Sequence, residues 1–181
     1  MPVTIDAGTL EWISVDEVKR QANIKTSTSD EEVDLIRGAA QDLVEQLIGP
    51  VLWRTVTETV AASRDGVVAL RNFPIVSLTS LTSSGTSVTS TLNSTGGMLT
   101  GITVYGDLTA TYVAGRTSVP DAVRMAALII AAHLWETQRG ASPSPIPTDD
   151  FGSSQPFGVG FAIPNRAMEL LSPYLLPPAV A

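Results

Sequence analysis

The side chains able to do chemistry are few and scattered. One histidine, His133, stands inside an apolar run, and no second histidine or cysteine exists to join it as a metal ligand. A lone histidine in that setting reads as a partly buried or interface residue. Asp149-Asp150 could touch a calcium ion, but two adjacent acids lack the spaced ligands of a calcium loop and read as solvating a connection. Gly158 and Gly160 in FGVGFA are followed by no third glycine or lysine, so they make no phosphate cradle. No Gly-x-Ser-x-Gly elbow occurs. The lack of cysteine removes disulfide frameworks, thiolate zinc sites and thiol nucleophiles together. A hydrolase built on two carboxylates stays open, because such pairs are assembled only by the fold, yet nothing positive points to one. The expectation is a chain with no catalytic residue, no metal and no cofactor.

The elements that would position any site are better defined. The chain has 181 residues, 44% of them hydrophobic, enough for one globular domain with an appended tail. The net charge of −7 is uneven, with ten acids against four bases among residues 1–49. Gripping nucleic acid needs clustered lysine and arginine, so this surface argues against it, though not against DNA passing by. A solvated helical face is the simpler reading of the acids. The opening MPVTIDAGTLEWI has no basic segment and no continuous apolar run, so it is not a signal peptide, and synthesis in a cytoplasm is expected.

The strongest helical signal runs from Val119 to Gly140. Val123, Ala126, Ala127, Ile130, Ala131 and Leu134 repeat at helical spacing and form one apolar stripe. Pro120 suits the first position, Asp121 and Arg139 complement the dipole, and Gly140 suits the end. The back of this helix is apolar too, through Met125, Leu128, Ile129, Ala132 and Trp135. A helix apolar nearly all round is buried on two faces or spans a membrane. This one is too short to span and carries Arg124 and His133, so no membrane is expected. It reads as a core helix covered by its own chain, or as a helix shared between subunits.

Ser14 with Glu17 forms a capping-box pattern opening a short helix to Ile24, with Val15, Val18 and Ala22 inward. Ser29 with Glu32 repeats it and opens a longer helix to Ile48, striped by Val33, Ile36, Ala40, Leu43, Val44 and Leu47 and stopped by Gly49-Pro50. Side chains then alternate. Trp53–Ala62 places Val56, Glu58 and Val60 on one face and Thr55, Thr57 and Thr59 on the other. Asp65-Gly66 predicts a hairpin into Val67–Arg71. Ile75–Ser83 is a further strand, Ser84-Gly85 turns into a Ser/Thr arm over Thr86–Leu92, and Asn93–Gly97 is a loop. Ile102–Tyr105 and Leu108–Val113 flank a Gly106-Asp107 turn. The class is α+β: two N-terminal helices, a small antiparallel region of five or six short strands, a long central helix packed on it, and an extended tail with a short helix.

Residues 141–163, rich in proline and glycine, read as an extended connection between the domain of residues 1–140 and a docking tail over 164–181. Pro164 starts a short helix that Pro173 stops. Arg166, Met168, Leu170, Leu171, Tyr174, Leu175 and Leu176 make an apolar tip that needs a dock, in this chain's own core, a neighbouring subunit or another protein.

The order of these elements resembles the phage head–tail connector family, also called head-completion or adaptor proteins. The likeness rests on the two capped N-terminal helices, on Leu70, Pro74, Ser77, Leu78, Ser80 and Leu81, and on Thr109-Ala110-Thr111-Tyr112-Val113-Ala114-Gly115. It continues through Val119-Pro120, Ala122, Ala126 and Trp135-Glu136. It covers roughly residues 10–140, with Ile163–Tyr174 similar to versions that carry a C-terminal extension. It implies a structural virion protein of the neck, synthesised in the host bacterial cytoplasm. Such proteins form a homo-oligomeric ring, typically a dodecamer, under the portal protein. The ring continues the DNA channel and meets the next neck or tail-terminator protein. On that reading the back of the central helix is the subunit contact and the tail docks on the portal or a neighbour. Glu31, Glu32, Asp34, Asp42 and Glu45 then face a channel through which DNA slides without specific binding. The competing reading is a virion-associated carbohydrate-binding or hydrolytic domain. An exposed row of aromatic residues on the β face would favour it, but Trp53 and Tyr112 are isolated, and Trp12 and Trp135 belong to helical regions.

Overall fold

The computed structural model describes residues 4–5, 11–93, 97–138 and 163–176. The chain divides into two compact units. One comprises Met1–Trp12, Leu43–Pro120 and Pro173–Ala181, and the other Ile13–Asp42 and Asp121–Ser172. The fold is α+β, as the alternation between helical and strand periodicity predicts.

The helical unit contains α1 (Val15–Gln21), most of α2 (Asp30–Ile48), α3 (Asp121–Gln138) and α4 (Asn165–Leu171). The capping box at Ser14 forms as the sequence predicts. Its hydroxyl accepts the Glu17 N–H at 3.2 Å and its own N–H donates to Glu17 Oε2 at 2.7 Å. The helix ends three residues earlier than its apolar pattern, because Asn23 turns left-handed at φ 55°. The N–H of Ile24 then reaches the Lys19 carbonyl and that of Asn23 the Arg20 carbonyl, a Schellman closure with asparagine in the usual glycine place. In α2, Val33, Ile36, Ala40, Val44 and Ile48 are buried, while the expected Leu43 and Leu47 are half-buried. α3 packs against α1 and α4. The predicted terminal residues Arg139 and Gly140 lie outside the described residues.

The β unit is built on a five-stranded antiparallel sheet in the order β1 (Thr4–Ile5), β2 (Arg54–Ala62), β8 (Gly106–Ala114), β4 (Ile75–Ser83), β5 (Thr86–Ser87). A second sheet joins β3 (Val68–Ala69), β7 (Met98–Thr100) and β6 (Thr91–Asn93). Val56, Glu58 and Val60 face inward from β2, opposite Tyr112, Ala110 and Leu108 of β8. The core between these strands is completed by Val68, Leu70, Ile75, Leu81, Leu99 and Ile102. Burying aliphatic side chains of this size contributes about 1.5–3 kcal/mol each. The opposite face carries threonines, with Thr57 and Thr111 hydroxyls 3.2 Å apart across the strand pair.

Two strand readings are corrected. Asp65-Gly66 does turn the chain, with Gly66 at φ 68°, but β2 does not continue into a hairpin. Its partner is β8, and the segment after the turn joins the other sheet as a two-residue strand. Ile102–Tyr105 is not a strand. Gly101 (φ 77°) and Gly106 (φ 100°) bracket an irregular segment, the Ile102 N–H donates to the Gly66 carbonyl, and Gly106 itself opens β8. β-branched residues supplied the strand-like pattern there, while the backbone bonds run to the turn instead. The Ser/Thr arm is likewise divided, into β5 on one sheet and β6 on the other, and Ser84-Gly85 makes the expected two-residue hairpin between β4 and β5.

Candidate functional site

α3 offers the most prominent surface. Five of its predicted stripe residues, Val123, Ala126, Ala127, Ile130 and Ala131, are fully buried. Its back face remains partly open: Met125 is 44% exposed, and Leu128, Ile129 and Ala132 are half-buried. Trp135 is corrected out of that face. It is buried at 6% exposure and Leu134 takes the half-buried position, because the large indole is drawn into the core and a slight rotation of the stripe follows.

Ion pairs fix the helices that carry this face. Arg124 on α3 donates to Glu17 on α1 at 2.8 Å, and Lys19 reaches Asp30 at 2.6 Å. The Ser14 backbone N–H, joined by Arg124 and the Ser14 hydroxyl, holds the Glu17 carboxyl below its ordinary range against the opposing effect of burial. Thr137 caps the end of α3 internally, its hydroxyl donating to the His133 carbonyl at 2.7 Å. His133 is half-buried, and no cluster of three metal-binding side chains exists among the described residues. No helix among them is long and apolar enough to cross a membrane.

The acidic candidates separate into two kinds. Glu31, Glu32 and Asp42 are exposed on α2. Asp34 is exposed but receives the Arg37 Nε at 2.8 Å, while Arg37 is itself buried and also donates to Gln41. Glu45 is corrected: it is half-buried, pairs with Arg54 and accepts the Val51 N–H at 3.3 Å, so it ties the end of α2 to β2.

The C-terminal tip is docked on the chain itself. Leu171 and Ala167 are fully buried, where α4 packs on α3. Of the three docks the sequence left open for the tip, Leu171 therefore takes the chain's own core and is corrected as a portal- or neighbour-docking candidate. Arg166 is exposed and Met168 and Leu170 are half-buried. After a single tight turn, Ser172–Tyr174, the chain joins the β unit. There the Tyr174 ring lies 5.3 Å from the Arg116 guanidinium carbon, and the Leu176 N–H donates to the Leu47 carbonyl at 3.0 Å. Leu175 is 42% exposed. The connection of residues 141–162 lies outside the described residues.

Sequence reasoning missed a polar cluster inside the β core. Tyr112 donates to Glu58 Oε1 at 2.8 Å, the Arg71 N–H donates to the same oxygen at 3.1 Å, and Asn72 donates to the Tyr112 hydroxyl through its side chain at 3.1 Å. Burial above all, with Glu58 adding to it and the Asn72 donors opposing, pushes the Tyr112 hydroxyl well above its ordinary range. Glu58 alternates in phase with Val56 and Val60, and a carboxyl on an apolar face was the available signal. The cluster fixes residues 71–72 to the sheet. Gly115, at φ 115°, then brings β8 so close to Leu52 that any β-carbon would meet the Leu52 carbonyl.

The chain is an α+β scaffold that presents helix faces for contact. The head completion protein family model matches residues 11–174, and the chain belongs to that family. Membership makes it a structural protein of head completion, not an enzyme. No curated protein matches it. Solved structures share its fold at low identity. A chain from the neck of the empty gene transfer agent (GTA) particle, computed with C6 symmetry, is 15% identical with a TM-score of 0.68, covering 99% of this chain and 98% of that one. Chains from the native GTA virion (16% identical) and from the native GTA neck computed with C12 symmetry (15%) each have a TM-score of 0.64 with the same coverage.

Proposed function

We propose that the chain is one subunit of a ring, of twelve copies in the virion, that sits beneath the portal, joins the DNA-filled head to the tail and continues the DNA channel. The observation that carries this reading is the back of α3. Met125, Leu128, Ile129 and Ala132 form an apolar strip that the chain's own described residues leave partly open. Closed rings use heterologous contacts in which one such strip meets a different surface of the next copy. The family supports the location, and the neck chains of similar fold come from particles treated with C6 and C12 symmetry. Exposed Glu31, Glu32 and Asp42 suit a channel wall, since like charge repels the DNA backbone and releases no counterions. The exposed part of the tip, Leu175 above all, is the portion left for the portal or a neighbour.

Electron microscopy of a lysate from a virus with this reading frame disrupted tests the reading. DNA-filled or leaking heads beside complete, unattached tails are expected. Normally joined particles that fail only at infection would remove the protein from the neck.

A further inference from the structure

Arg116 is held differently from the other arginines set against the protein. Arg37, Arg54 and Arg124 each have a carboxylate partner, in Asp34, Glu45 and Glu17. Arg116 has none among the described residues, and its Nη1 is out of solvent with no hydrogen-bond acceptor. Its backbone is held on both sides: the N–H donates to the Val51 carbonyl at 3.0 Å and the carbonyl accepts from the Trp53 N–H at 3.1 Å. What meets the guanidinium is the Tyr174 face, which offers no lone pair along the N–H directions. Arg116 is half-buried, and the one N–H held out of water and unmatched favours any rearrangement that supplies an oxygen.

The cover is lightly held. Pro173 and Leu175 are exposed, and among the described residues the end is secured by the Leu176–Leu47 backbone bond and by Leu176 lying over Gly49. Segments with few buried contacts open well below the cost of global unfolding. The chain also supplies acceptors away from the acids read as the channel wall: Asp65, Asp107 and Glu136 are exposed and have no cationic partner in their own chain among the described residues, in a protein of net charge −7. The complement of an unmatched guanidinium is such a carboxylate from another copy.

We propose that Pro173–Leu176 is a self-docked latch over Arg116 that keeps free chains apart, and that its release bares the guanidinium to a carboxylate of a second copy. This rests on the ring reading and adds to it what delays assembly. The latch closes while Tyr174 stacks on Arg116. It opens when the tip is drawn to another surface.

The test uses the full chain, with assembly followed by size-exclusion chromatography and light scattering, alone and with purified portal rings. Couplings of this kind change an affinity by about 5- to 150-fold, so Tyr174→Ala should assemble without portal at a concentration about tenfold below wild type. Tyr174→Phe, which keeps the stacked ring, should behave as wild type, and adding Arg116→Gln to Tyr174→Ala should abolish the gain. A folded Tyr174→Ala chain that stays monomeric alone yet joins portal rings overturns the latch and leaves the ring reading standing. If it fails in both settings, the ring reading falls as well. Hydrogen exchange of the wild-type chain gives a measurement free of variants. The Leu176 amide should lose protection on portal rings, and retained protection there overturns the latch.

Discussion

At the scale of single residues, the most consequential position is Tyr112. Its hydroxyl is donor to Glu58 and acceptor from Asn72 inside an apolar core. Tyr112→Phe leaves Glu58 Oε1 short of a donor and Asn72 short of an acceptor, which costs about 1–3 kcal/mol. Urea unfolding at pH 7 measures that loss. The same substitution carries a pH signature. The folded-state pKa lies above the unfolded value of about 10, so the unfolded chain releases this proton first. The stability it contributes is complete below pH about 10 and declines as pH rises from there toward the folded value. Wild type should therefore lose stability above pH about 10 more steeply than Tyr112→Phe, and parallel alkaline slopes would refute the assignment. Half of this cluster was legible. The alternation of Val56, Glu58 and Val60 put a carboxyl on the inner face. Its partners, 13 and 54 residues away, are set by strand pairing, which no local pattern encodes.

At the scale of elements, helices were legible and strand partners were not. The box at Ser14 and the apolar stripe of α3 are written within one or two turns of chain, so local chemistry decides them. β2 reads as a strand from its own alternation, yet it pairs with β8 and not with the segment after its turn. Choosing between those partners requires the core that forms behind them. The irregular 101–105 segment misled for the related reason that β-branched composition records burial and not pairing. The open face of α3 gives the prediction at this scale. Met125 is 44% exposed, so Met125→Glu should change monomer stability by no more than about 0.5 kcal/mol while preventing ring formation on portal rings. Light scattering and thermal unfolding of the same sample check both halves. Leu128→Asp is the poorer choice, because Leu128 is half-buried and its loss weakens the fold as well.

At the scale of the whole molecule, what matters is the sign and placement of charge. The acids of α2 were visible in the sequence as a charge skew over residues 1–49, but their separation into exposed and structural members was not. Glu45 holds Arg54, and Asp34 holds Arg37, whereas Glu31, Glu32 and Asp42 stand free toward solvent. If those three line a channel, replacing all of them by lysine converts a repelling wall to a binding one. Assembled variant rings should retain duplex DNA at low salt, with an affinity that falls steeply as salt rises, and wild-type rings should not. Filter binding across a salt series reads this directly, and equal retention by both would place the acids elsewhere. One further consequence follows from the position of β8. It is paired along its whole length with β2 on one side and over Thr109–Ala114 with β4 on the other, so it is the seam of the large sheet and the last of its strands to be synthesised. Until residue 114 has left the ribosome, β2 and β4 lack the strand that joins them, and each keeps only its short outer partner, β1 or β5. The large sheet thus closes in a single late step of synthesis, and a chain stopped before that point carries two strands, each with an open edge, that invite pairing with other chains.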